Sequence, residues 1–199
     1  MALSHYKNSH AAVNKWEVVN PSLFEVTIIP PAAALGASGS NNDQMTTLFL
    51  EHVRSIGGLD GLNPTVGTAV QKFKQAERHY AGGPESTHLE LNVVFSLNLN
   101  DANENYIYTA IRKWRDIIYN PATGASGLKK DYAGSMVIVE YNRDGSIWRK
   151  VICSDVFPTG QPTGLGEKNY DNVNEANELS CTFICDVWDE KAVGLPIYG

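Results

Sequence analysis

Three cysteines, Cys153, Cys181 and Cys185, are the side chains of this 199-residue chain best suited to metal or redox chemistry. Their spacing does not suit a zinc centre, which draws four ligands from paired Cys or His positions. The five histidines (His5, His10, His52, His79, His88) are scattered, and neither a metal nor a cofactor is expected. Cys181 and Cys185 lie four residues apart in a strand-forming run. That is about 13 Å at strand rise, too far for a bridge between them. Either could pair with Cys153 if their strands are neighbours, or with a second copy of the chain. The expected state is the reduced, buried thiol, acting as a small hydrophobe. An inter-subunit disulfide through Cys153, Cys181 or Cys185 is the chemical alternative, and a non-reducing gel distinguishes the two.

The sequence holds no G-x-S-x-G elbow, no H-E-x-x-H and no P-loop. The glycine-rich run Gly160-Gln161-Pro162-Thr163-Gly164-Leu165-Gly166 follows Pro158 and leads into a polar stretch. It opens no expected helix, so it does not make a phosphate cradle. Asp189 and Glu190 are adjacent on an expected strand, where neighbouring side chains point to opposite faces. No catalytic residue is expected.

The elements that would position these side chains are mostly strands. His88–Leu99 is the clearest. Leu89, Leu91, Val93, Phe95, Leu97 and Leu99 fall on one face, and Glu90, Asn92, Ser96 and Asn98 on the other. One wet face favours an antiparallel sheet. Leu23–Ile29, Met45–Val53 and Leu179–Trp188 also read as strands. In the last, Cys181, Phe183, Cys185 and Val187 share one side. Ser135–Tyr141 and Ser146–Phe157 meet at Asn142-Arg143-Asp144-Gly145, a turn with Gly placed for positive φ. Phe157-Pro158-Thr159-Gly160 ends that hairpin. Val66–Tyr80 fits either an extended hairpin arm or a short helix, and Gly82-Gly83-Pro84 stops it. Ser55–Pro64 is rich in Gly and Pro and turns the chain.

One strong helix follows Asp101. Asp101 and Glu104 form a capping box. Ile107, Ala110, Ile111, Trp114, Ile117 and Ile118 recur at helical spacing. Asn120-Pro121 ends the helix. The basic residues outside that stripe are diluted by acids and read as a solvated face. The fold class expected is mainly β with one main helix, an antiparallel sandwich or barrel of about seven strands. Net charge is −6, from 16 basic and 22 acidic residues. Tight binding to a nucleic-acid backbone needs clustered Lys and Arg, which this balance does not supply. No run of 18 apolar residues spans a membrane, and the start, MALSHYKNSH, lacks the apolar core of a secretion signal.

The hairpin MVIVEYNRDGSIWRKVICSDVFPTG with its following strand, together with Asn20-Pro21-Ser22-Leu23-Phe24-Glu25-Val26, resembles the tail tube proteins of contractile-tailed, T-even-like bacteriophages. The central strand, the helix around Trp114 and the hairpin through Tyr141, Arg143, Asp144 and Phe157-Pro158-Thr159 occur in the same order. The resemblance spans roughly residues 20–190. It leaves an N-terminal extension (1–19), an insert at 30–43 read as flexible, and a C-terminal arm (191–199).

The resemblance implies a structural protein of the virion tail and no enzyme. Copies would self-associate into stacked hexameric rings, with strands from all subunits joined in one inner β-barrel. The implied partners are a tail sheath protein, a tape-measure protein, and baseplate and tail terminator proteins. DNA would pass through the lumen without specific binding, and nothing would insert in a membrane. Assembly would take place in the host bacterial cytoplasm. Glu25, Glu90, Glu140 and Asp186, all on expected strands, are candidate lumen-facing acids. They are equally readable as ordinary surface carboxylates. An inner tube of a bacterial contractile injection or type VI secretion system is an alternative of the same fold. A β-barrel enzyme or ligand-binding module is the alternative from another class, and it lacks the motifs named above.

Overall fold

The computed structural model describes residues 20–35, 46, 49–63, 65–84, 88–97, 106–164 and 177–192. Eight strands are described: β1 (Phe24–Ile29), β2 (Val53–Gly57), β3 (Val66–Lys72), β4 (Glu77–Pro84), β5 (Leu89–Ser96), β6 (Gly134–Tyr141), β7 (Ile147–Pro158) and β8 (Glu178–Ala192). Six make one sheet in the order β1-β6-β7-β8-β5-β2. Every pairing in it is antiparallel, and the sheet curls into a nearly closed barrel. The reading as mainly β with one main helix holds.

Period-two patterning sets the core. Leu89, Leu91, Val93 and Phe95 of β5 are all fully buried, and they face Leu179, Cys181, Phe183 and Cys185 across the β5–β8 ladder. Val26 and Ile28 on β1, and Met136 and Ile138 on β6, supply the other side. Burying each such side chain contributes roughly 1.5–3 kcal/mol. The helix α1 (Tyr106–Ile118) turns Ile107, Ala110, Ile111 and Trp114 into this core. The Trp114 ring lies 5.9 Å from that of Phe183. Its Nε1 donates to the Tyr132 carbonyl at 2.7 Å, at the end of the short helix α2 (Lys129–Tyr132).

The structure corrects several element readings. Met45–Val53 is not a strand: Thr46 and residues 49–52 are helical, and the strand starts at Val53. Met45, Leu48, Phe49 and Val53 in fact recur at helical spacing. Phe49 buries its ring edge-on against Phe95, with centroids 5.7 Å apart. The stretch expected to be all turn therefore begins with β2, and a 3-10 turn follows at Leu59–Leu62. Gly58 joins them with φ 92°. A Cβ there would stand 2.0 Å from the Glu90 carbonyl oxygen, so only Gly fits. Of the insert at 30–43, Ala32–Leu35 forms a 3-10 turn that buries Ala34 against α1. Residues 36–43, the capping box at Asp101 and Glu104, and the ends 1–19 and 193–199 lie outside the described residues. Val66–Tyr80 resolves as a hairpin, and β4 runs on through Gly82-Gly83-Pro84 rather than stopping before them.

One irregularity reverses the two faces of a strand pair. Asp155 has φ 56°, in the left-handed region that Asp tolerates better than most residues. It is the extra residue of a β-bulge, because Gly134 pairs with Val156 while Ser135 pairs with Ser154. On β7, Val156 is buried on one side of the bulge and Cys153 on the other. Across the ladder, burial on β8 passes from Cys185 to Trp188, which packs against the core. Val187, expected beside Cys185, is 57% exposed instead.

Candidate assembly surface

Of the residues first singled out for chemistry, the structure brings Cys153 and Cys185 together. Cys153, Cys181 and Cys185 are free and buried. Burial pushes the Cys181 thiol up to about 12. A hydrogen bond with Cys185 and then burial raise Cys153 as well. Cys153 and Cys181 therefore stay protonated near neutrality and react poorly, while the same hydrogen bond lowers Cys185. For any of them to bridge to another copy, its side chain would have to leave the core. Among the described residues, no group of three or more His, Cys, Asp or Glu side chains is placed to hold a metal ion, and no helix is long and apolar enough to cross a membrane.

The four carboxylates sit on four different strands. Glu25 alternates with buried Val26 and so faces outward on β1; it accepts a 3.0 Å hydrogen bond from the Tyr141 hydroxyl. That bond raises the Tyr141 pKa above its usual value. Glu90 faces outward on β5, between buried Leu89 and Leu91, 3.6 Å from His88 Nε2. Asp186 faces outward on β8 and binds the Lys129 ammonium, which also lies 3.5 Å from Asp155. The hydrogen bond to Asp186 is the main reason the Lys129 pKa is raised. Glu140 differs from the other three. It shares the β6 face of Met136 and Ile138, and pairs with Arg149, which reaches Glu190 at 3.4 Å.

Two features do present a surface, one left open in the sequence between hairpin arm and helix, the other missed there. The first is the β3–β4 hairpin. It forms its own two-stranded sheet, and among the described residues its extensive packing is with itself alone. The amide of Phe73 donates to the Ala76 carbonyl at 2.7 Å and closes the tip. Eight large apolar side chains are exposed among the described residues, and four of them (Val66, Val70, Phe73, Tyr80) belong to this arm. An arm that exposes half of these large apolar groups to water offers a surface for a partner to cover.

The second is the seam of the barrel. β1 and β2 are the two margins of the six-stranded sheet. The order and the antiparallel pairings make them run in opposite directions, yet they do not pair. Between them lies a cleft of about 390 Å³, lined by apolar Phe24, Val26, Leu50 and Val53 and by polar Ser22, Glu25, Arg54 and Tyr141. The Arg54 guanidinium is taken by Glu178. Among the described residues no cation pairs with Glu25, whose hydrogen-bond partner is the Tyr141 hydroxyl. Unpaired margins of this kind invite another chain. The apolar residues at 66, 70, 73 and 80 recur at helical spacing, so periodicity left the hairpin arm and the helix undivided, and only the pairing of β3 with β4 decides between them. The seam had no local signal, since it depends on which distant strands become margins.

No protein-family model and no curated protein sequence matches the chain. Solved structures do match. A chain of the sheath–tube complex of PVC, an extracellular contractile injection system, in its extended state superposes with TM-score 0.53 at 14% identity, covering 93% of this chain and 97% of its own. The tube-terminating cap of the anti-feeding prophage, AFP, gives 0.54 at 13% identity, covering 97% and 100%. The PVC sheath/tube terminator in the extended state gives 0.53 at 12% identity, covering 89% and 99%. Likeness at such identities speaks to fold. The chain has a tail-tube-like fold, the one that the residues around Asn20–Val26 and the β6–β7 hairpin led us to expect.

Proposed function

We propose that this chain is the building block of the inner tube of a contractile particle. Copies join into rings, hexameric as in the phage family it resembles, and rings stack around an aqueous bore. The role is mechanical: a sheath outside contracts and drives the tube through an envelope. A tape-measure protein fills the bore during assembly, and baseplate and terminator proteins close its ends. In the phage reading DNA passes through it into the host, and the protein resides in the virion after assembly in the bacterial cytoplasm. The reading assigns the chain no catalysis and no membrane insertion.

The observation that carries this is the pairing of a tail-tube-like fold with an unpartnered apolar arm and two unpaired sheet margins. A monomer gains nothing from either feature. Cyclic assembly uses both, because a surface and its different acceptor repeat around a ring. Net charge of −6 suits a conduit for polyanions, which like charge repels slightly and does not hold.

A second reading has its own support. The PVC and AFP likenesses come from injection systems, so the cargo of this tube could be protein rather than DNA. Purified particles decide between them: encapsidated DNA, or capsid and terminase genes beside this one, identify a phage. The tube itself is tested by negative-stain microscopy of the overexpressed chain, where hollow rods or rings are expected. Solitary globules at every concentration, in images and by sedimentation, would refute it.

A further inference from the structure

The arm and the seam are complementary. The arm, residues 66–84, carries three cations (Lys72, Lys74, Arg78) and one carboxylate (Glu77), in a chain whose net charge is −6. Lys72 is 3.6 Å from Glu77, and the Arg78 guanidinium lies 5.7 Å from the Phe73 ring centroid. The tip therefore presents an aromatic ring, 48% exposed, ringed by positive charge. The cleft offers apolar side chains (Phe24, Leu50, Val53) beside one carboxylate, Glu25; its one cation, Arg54, is taken by Glu178, so among the described residues no cation pairs with Glu25. In the structure the cleft is open and Phe73 is exposed, so the two do not meet within one chain.

We propose that the arm tip of one copy docks in the β1–β2 cleft of another copy. The Phe73 ring lies on Phe24, Leu50 and Val53, and the ammonium of Lys72 or Lys74 reaches the Glu25 carboxylate. The proposal rests on the tube reading and names the acceptor for its arm. Tip and cleft are different surfaces, so the contact is head-to-tail and propagates from copy to copy. It removes the exposed Phe73 ring from water, and gives Glu25 an ion pair, which it has with no cation among the described residues.

The test uses the full chain and assembled material. Lys74→Cys and Ser22→Cys, the latter on the exposed rim of the cleft, are made in separate copies and mixed, with Cys153, Cys181 and Cys185 left in the core. Mild oxidation is expected to give a dimer of one Lys74→Cys chain and one Ser22→Cys chain. Either variant alone should give only its background. Phe73→Asp is expected to raise the concentration needed for assembly at least tenfold, with monomer circular dichroism unchanged. Glu25→Lys is expected to do the same and to be rescued by Lys72→Glu with Lys74→Glu. Assembled rods that form no mixed dimer, or rods that tolerate Phe73→Asp, overturn this contact and leave the tube reading standing. Failure of the unaltered chain to assemble removes both.

Discussion

Single residues in this chain act through backbone geometry more than through reactive groups. Gly58 shows this best. Its positive φ and the nearby Glu90 carbonyl leave no room for a methyl. Gly58→Ala is expected to lose about 2 kcal/mol or more, visible as a lower denaturation midpoint in urea. Asp144 gives a pH-dependent case. Hydrogen bonds from the Ser146 hydroxyl and amide hold its carboxyl below the usual 3.8. A carboxyl held low adds stability above its unfolded value and loses it as the pH falls through the folded one. Carbon-detected NMR titration should find Asp144 titrating below 3.8, and Ser146→Ala should move it back up. The turn at Asn142–Gly145 was legible from residue types alone, since Asn, Asp and Gly each favour it for a local reason. The Gly58 constraint was not legible, because the atom it avoids belongs to a strand 32 residues away in the chain.

The elements were readable where a period was clean. β5, β6, β7 and α1 followed from alternation or helical spacing, because each buries one face against the same core. Val93→Pro removes a backbone donor from β5, which pairs on both sides with β2 and β8. It is expected to abolish folding or polymerisation, checked by soluble yield and by microscopy. Helix won at 49–52 because Phe49 needs the Phe95 contact, and β-forming composition alone does not report that. The β7–β8 pair failed differently. Alternation extrapolated from Cys181 to Cys185 puts Val187 inside, but the bulge at Asp155 reverses the faces. A polar scan along β8 should therefore slip in phase after Cys185. Phe183→Ala should cost about 3–5 kcal/mol, while Val187→Ser should stay within about 0.5 kcal/mol. Equal losses at both positions would contradict the reversal.

At the scale of the molecule, the fold class came from counting wet-faced strands, and its kinship came from the order of short motifs around them. Neither route reaches a surface formed by distant segments. The arm is continuous in sequence, yet its independence from the barrel shows only once β3 and β4 have paired with each other. The seam joins Phe24 to Val53 through the entire strand order. Truncating the arm, by joining Thr65 to Glu85 through a short Gly-Ser link, should leave a folded monomer that no longer sediments as rods, since the six-stranded sheet does not use β3 or β4. Loss of folding in that variant would mean the arm supports the body.

The unpaired margins have a mechanical consequence. A cylinder slit along its length can widen or narrow without rupturing any ladder, whereas a sealed one must tear bonds to change girth. An isolated copy is therefore expected to breathe across β1 and β2, and whatever fills that slit should stiffen the wall around it.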